Sequence, residues 1–263
     1  MKIKIYIVTY KGDNVLNQNL DSLYSSDLLS YEYEICIINN HTQFNANVDR
    51  PNLRVVHNTV RPNFSTGHLA RDWNFALIDG FKDLKNPQSD IVVACQNDTV
   101  FFPNWASYII SLHKKYSFIT FGHGDNMMSW TPDAVKTIGL WDERFCAIQY
   151  QEGDYFLRAY KYNKEHTSLN DHAHGRLHNE EENKVVDVTY SKNEENREAH
   201  NDSKSYREIC NAVYSRKWNN YKWNQPRDRI PKRPKLMSYI MYPYFEKDLY
   251  KRTLEEQRYL LKK

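Results

Sequence analysis

The chain has 263 residues, of which 40% are hydrophobic and 26% charged, and its net charge is +3. That length suits one large α/β domain or a domain with an appendage, and no apolar run approaches the ~18 residues of a membrane span, which excludes an integral helical membrane protein. The charge is unevenly spread: residues 204–263 carry 16 Lys+Arg against 6 Asp+Glu, whereas residues 1–203 carry 20 against 27.

The first element is "KIKIYIVTY" (2–10), where Lys and Ile alternate as on a strand. It is too short and too regular for a secretory signal. "NVLNQNLDSLYSS" (14–26) places Val15, Leu16, Leu20 and Leu23 near helical spacing, and "YEICIIN" (33–39) and "LRVVHN" (53–58) read as strands. "STGHLARDWNFALIDGF" (65–81) opens on Ser65 and Thr66 as caps and repeats Leu69, Trp73, Leu77 and Phe81 every four residues, which predicts a helix. "DIVVAC" (90–95) is a continuous apolar strand of the central parallel kind. A helix over 103–116 and a strand over 118–122 follow. Strands alternating with helices predict an α/β fold, a Rossmann-like, mostly parallel sheet flanked by helices.

Residues 181–203 form a very polar stretch with one apolar run, Val185 to Val188, and read as a surface loop or lid. Residues 204–263 form a basic, aromatic and mainly helical extension, interrupted by Pro226, Pro231 and Pro234 and ending in a helix over 254–263. Cys36, Cys95, Cys146 and Cys210 contain no C-x-x-C pair and read as buried free thiols of a cytoplasmic protein.

Parallel sheets bind ligands at the carboxyl ends of their strands. The residues there are Thr9 and Tyr10, Asn39 and Asn40, and Gln96, Asn97 and Asp98, all polar but for one tyrosine ring. Asp98 suits a hard divalent ion, or equally an Asn-Asp turn. Glu152 and Asp154 precede an apparent helix containing Leu157 and Arg158. One carboxylate of that pair suits a general base, the other a loop anchor, with Arg158 steadying a carboxylate; a plain helix cap by Asp154 is the alternative. His172, His174 and His178 fall within seven residues and offer metal ligands or only a polar loop.

Taken in order, these segments resemble the family 2 glycosyltransferases with a GT-A fold, especially the rhamnosyl- and galactofuranosyltransferase branch. The resemblance covers roughly residues 2–180 and rests on "KIYIVTYKGDNVLNQNLDSL", "YEICIINNHT", "STGHLARDWNFAL", "CQNDTVFFPNW" and "IGLWDERFCAIQYQEGDYFLRA". It implies a nucleotide-sugar-binding catalytic domain over 1–180. Thr9, Tyr10 and Asn39 would hold the nucleoside, with Gly67, Arg71 and Asn97 completing the nucleotide-sugar site. Asp98 and His174, with His172 competing, would hold Mn²⁺ or Mg²⁺. Glu152 would take the general-base position, Asp154 the second acid, and Arg158 the family arginine.

Three positions depart from the family pattern: Asn39 stands for an Asp, Gln96 and Asn97 for the earlier acid of the metal motif, and Gln151-Glu152 for Glu-Asp. The implied reaction moves a hexose or pentose from a nucleotide-diphosphate sugar to an acceptor hydroxyl, with inversion. The basic extension, with Trp218, Tyr221, Trp223, Tyr239, Tyr242 and Tyr244, fits an anionic acceptor, either modified DNA, as in a phage or viral enzyme of an infected cell, or a membrane-linked saccharide. It reads equally as a solvated helical tail whose lysines only keep it soluble. A non-catalytic nucleotide-sugar or nucleic-acid binding module is the alternative.

Overall fold

The computed structural model describes residues 1–58, 69–122, 124–147, 149–169, 185–188, 204–222, 225 and 227–240. Strands β1 (Lys2–Thr9), β2 (Glu32–Asn39), β3 (Leu53–His57) and β4 (Ile91–Gln96) come first, with helices α1 (Asp13–Tyr24) and α2 (Leu69–Phe81) between them. β5 (Thr99–Phe101), α3 (Trp105–His113), β6 (Phe118–Phe121), β7 (Met127–Trp130), α4 (Pro132–Ile138) and α5 (Tyr150–Tyr162) follow. β8 (Thr167–Ser168), β9 (Val186–Val188) and α6 (Lys204–Lys217) complete the chain order.

Seven strands form one sheet in the order β3-β2-β1-β4-β7-β6-β8. β1 pairs in parallel with β2 and β4, and β2 with β3, as the alternating helices require. β7 runs antiparallel to both β4 and β6, so the sheet is mostly rather than wholly parallel. Order reverses at β1, which has β2 on one side and β4 on the other. That reversal opens the crevice at the carboxyl ends of β1 and β4.

The period-two pattern of β1 divides the core. Ile3, Ile5 and Ile7 pack on one face with Leu16, Leu20 and Leu23 of α1 and Ile109 of α3. Tyr6 and Val8 pack on the other with Trp73 and Leu77 of α2 and Phe156 of α5. β4 sends Val93 and Cys95 to the first face and Val92 and Ala94 to the second, which is why its run is apolar throughout. α2 crosses β4 so closely that a methyl group on Gly80 would collide with Val92 Cγ2. A third cluster joins Cys210, Tyr214, Trp218, Tyr221 and Ile230 of the basic extension to Phe145, Ala147 and Leu157. Among the described residues no helix is long and apolar enough to cross a membrane.

Several sequence expectations are corrected. α5 starts at Tyr150, so Glu152 and Asp154 lie inside the helix rather than ahead of it. The cap is made by Glu152, not Asp154: Glu152 Oε1 accepts from the Gln149 backbone N–H at 2.9 Å, half of a reciprocal capping box. β5 and β7 are strands that the sequence reading did not mark, and Val186–Val188 is a strand paired antiparallel to β5. This pairing places the 186–188 segment directly after Asp98. The helix read over 254–263 lies outside the described residues, as do Gly67, His172, His174 and His178.

Candidate active site

Parallel register aligns the strand exits. Thr9 is opposite Asn39, Asn39 opposite His57, and Val8 opposite Gln96. Backbone bonds extend the alignment past the strands: Asn40 N–H donates to the Thr9 carbonyl at 2.9 Å and Asn97 N–H to the Val8 carbonyl at 3.1 Å. The polar tails of β1, β2 and β4 therefore form one continuous lip.

Each residue on that lip is fixed by short-range bonds. Asn97 Nδ2 donates to Thr9 Oγ1 at 3.0 Å and to the Lys11 carbonyl at 2.9 Å. Asn39 Oδ1 accepts from His41 N–H at 3.1 Å, while its Nδ2 donates to the His41 carbonyl at 2.7 Å and lies 3.0 Å from His57 Nδ1. Tyr10 meets the His41 ring edge-on with centroids 5.3 Å apart. Asn40 Nδ2 donates to Asp72 Oδ2 of α2 at 2.7 Å. Arg71, next to Asp72, is buried, and burial pulls its guanidinium down against the opposing charges of Asp72 and Glu143.

Asp98 sits at the lip with only 3% of its surface exposed. Burial raises its carboxyl to about 6, its own backbone N–H lowers it in part, and the like charge of Asp125 raises it further. Asp125 is the member that the sequence reading missed. It is buried between β6 and β7, and its carboxylate collects three side-chain donors: Trp73 Nε1 at 3.0 Å, Gln96 Nε2 at 2.8 Å and Gln151 Nε2 at 3.1 Å. Burial holds this carboxyl above the usual range. The available signal was an acid in the Gly-flanked stretch "GHGD" (122–125) between two strands.

The turn around Asp125 connects the end of β4 to the head of α5. The Asn126 carbonyl accepts from Gln96 N–H at 2.9 Å and from Thr99 Oγ1 at 3.2 Å. Gly124, with φ +61°, has Glu152 against it: a methyl group there would lie 3.5 Å from Glu152 Oε1. The structure thus brings Thr9, Asn97, Asp98, Gln96, Asp125, Gln151 and Glu152 to one neighbourhood. Glu152 is 7% exposed and stands on the first turn of α5, where the helix dipole favours an ionised carboxylate.

Asp154 and Arg158 have different neighbours. Arg158 Nε and Nη2 each lie 3.0 Å from Asp154 Oδ2, the steadying geometry read from the sequence. Asp154 Oδ1 accepts from Trp218 Nε1 at 2.8 Å and pairs with Lys217 Nζ at 2.8 Å. Lys217 also pairs with Asp142 at 2.8 Å, and Arg144 with Asp142 at 2.6 Å. Burial pushes the Asp142 carboxyl up, but Arg144 and Lys217 outweigh it and hold the group at about 2. These buried charges clasp the basic extension onto α5 and the 142–145 loop.

The carboxylate of Asp98 and the neighbouring amides are hard oxygen donors of the kind that Mg²⁺ and Mn²⁺ take. A divalent cation would offset both the burial and the like charge that raise Asp98. Among the described residues no group of three or more His, Cys, Asp or Glu surrounds a single point.

No family model matches the chain. No curated protein matches it either. Among solved structures, it is similar to S. aureus TarS at 13% identity and TM-score 0.43, covering 60% of this chain and 34% of that one. It is similar to TarS 1–349 in complex with UDP at the same identity and TM-score, covering 60% of this chain and 56% of that one. It is also similar to a mannosyltransferase from Pyrobaculum calidifontis in complex with GDP-Man and Mn²⁺, at 11% identity and TM-score 0.36, covering 62% of each chain. The chain thus spans less than two thirds of each, and the functional reading rests on the site itself.

Proposed function

We propose that this protein transfers a sugar from a nucleotide-diphosphate donor to an acceptor hydroxyl, with inversion at the anomeric carbon. One observation carries the reading: the residues flanking Asp98 at the exit of a central strand, Gln96 and Thr99, bond to the Asn126 carbonyl, and Glu152, on the first turn of α5, lies against Gly124 of the same turn, beside the lip where β1 reverses the strand order. Thr9, Tyr10 and Asn39 hold the nucleoside, and Arg71 and Asn97 complete the donor site. Asp98, with a histidine from 172 or 174, would hold Mn²⁺ or Mg²⁺, which when bound supplies positive charge against the diphosphate. Glu152 takes the proton of the acceptor hydroxyl. The freed oxygen attacks the anomeric carbon from the face opposite the diphosphate, the bond to the diphosphate oxygen breaks, and the nucleoside diphosphate leaves with that electron pair. Asp154 and Arg158 act as positioning residues, holding α5 and the basic extension in register.

The basic extension suits an anionic acceptor, either hydroxymethylated DNA or a membrane-linked saccharide. The test is a panel of nucleotide-diphosphate sugars with Mn²⁺, each supplied with one acceptor or the other, reading nucleoside-diphosphate release. Acceptor-dependent release supports the proposal and names the acceptor class. Binding of a nucleotide sugar with no turnover on any acceptor supports the binding-module reading instead, which the structural engagement of Asp154 and Arg158 favours.

A further inference from the structure

Cys146 and Cys210 are separated by 64 positions in the chain, yet their Sγ atoms lie 3.9 Å apart. Both thiols are free. Cys146 lies in the segment entering α5 and is half-buried; Cys210 lies on α6 and is buried. Each is set in a packed frame, because Phe145, Ala147 and Leu157 pack on one side and Tyr214, Trp218 and Tyr221 on the other. A disulfide needs an S–S separation of ~2.05 Å, so closure requires an approach of roughly 2 Å.

We propose that Cys146 and Cys210 are a disulfide-forming pair, a covalent modification site that ties α6 to the segment entering α5 on exposure to a small-molecule disulfide of the glutathione type. The surroundings support the chemistry. The hydrogen bond from Cys146 lowers the Cys210 thiol to about 7 against the effect of burial, with the backbone N–H groups of Cys146 and Ala147 adding to it. The same hydrogen bond holds the Cys146 thiol up, so the first proton of the pair leaves from Cys210. Cys146, the more accessible sulfur, passes its proton to the neighbouring Cys210 and attacks the external disulfide; a mixed disulfide forms on Cys146, and the departing small thiolate takes up the proton from Cys210. The Cys210 thiolate then attacks Cys146 Sγ and expels the second small thiol. Two protein thiols become one disulfide, and one external disulfide becomes two thiols, so electrons and protons balance. The bond would lock Gln149, the cap partner of Glu152, three residues from the crosslink.

The test needs no assumption about activity. The full-length protein is reduced, freed of reductant and treated with glutathione disulfide, and its thiols are counted after denaturation. The reduced chain gives four thiols, its full cysteine count. The treated chain should give two, Cys36 and Cys95, with a Cys146–Cys210 crosslinked peptide identified by mass spectrometry. The treated chain should also unfold at higher urea, a shift reversed by reductant, because a long loop is closed in its unfolded state. Cys146→Ser should yield no crosslinked peptide. Retention of four thiols in the treated wild type, a crosslink through Cys36 or Cys95, or a bond between two chains would each overturn the proposal.

Discussion

Asp98→Asn should stabilise the metal-free protein at the cost of its activity. The carboxyl moves from an ordinary value of 3.8 to about 6 on folding, chiefly by burial. Each unit is about 1.4 kcal/mol, so folding with an ionised Asp98 costs about 3 kcal/mol at pH 8. The penalty is complete above the folded value, because there the unfolded and folded chains both carry the charge. It declines as pH falls below 6, to about 1.6 kcal/mol at pH 5, and vanishes below about pH 3, where both states are protonated. Asparagine keeps the shape and removes the charge, and with it the repulsion from Asp125. Urea unfolding in the presence of a chelator should therefore show Asp98→Asn more stable by up to about 3 kcal/mol at pH 8 and by about half that at pH 5. A variant less stable than wild type at pH 8, or a gain that does not shrink with acidification, would refute the electrostatic account of this site.

Lys217→Met should lower stability by about 3–5 kcal/mol, measured by urea unfolding, because it leaves Asp142 and Asp154 buried beside one cation fewer. Mn²⁺ binding followed by calorimetry should weaken by at least about tenfold from pH 7 to pH 5, as protons compete for a carboxylate that titrates at about 6 and for the histidine proposed to share the ion. A pH-independent affinity would place the ion elsewhere. Association with the anionic acceptor should weaken steeply as salt rises from 50 to 200 mM if the basic extension carries it, and a flat dependence would exclude that role.

The parallel half of the fold was legible because its signals are local. β1 alternates as a strand does, β2 and β4 carry continuous apolar runs, and α2 repeats its apolar residues every fourth position. β7, the four residues "MMSW", carries no alternation that a single sequence can distinguish from a loop, and its place in the sheet depends on β4, whose paired residues Val92 to Cys95 come from a distant part of the chain. Asp98 and Glu152 were visible through the resemblance of their surrounding segments. Asp125 was not, because nothing in its own neighbours announces that Trp73, Gln96 and Gln151 converge on it from three other elements. The clasp of Asp154 by Lys217 and Trp218, and the approach of Cys146 to Cys210, are likewise products of tertiary folding across more than sixty residues.

The most direct test of the central claim compares wild type with Glu152→Gln in transfer of a labelled sugar from its nucleotide-diphosphate donor. Glutamine keeps an oxygen to accept the Gln149 N–H bond, so the cap on α5 survives while the base is lost. The account predicts labelled product from wild type, donor binding within a few-fold in both, and product formation slower by about 10²–10⁴-fold in the variant. Equal rates from the two proteins would contradict Glu152 as the base, and the absence of any donor binding by wild type would contradict the site itself.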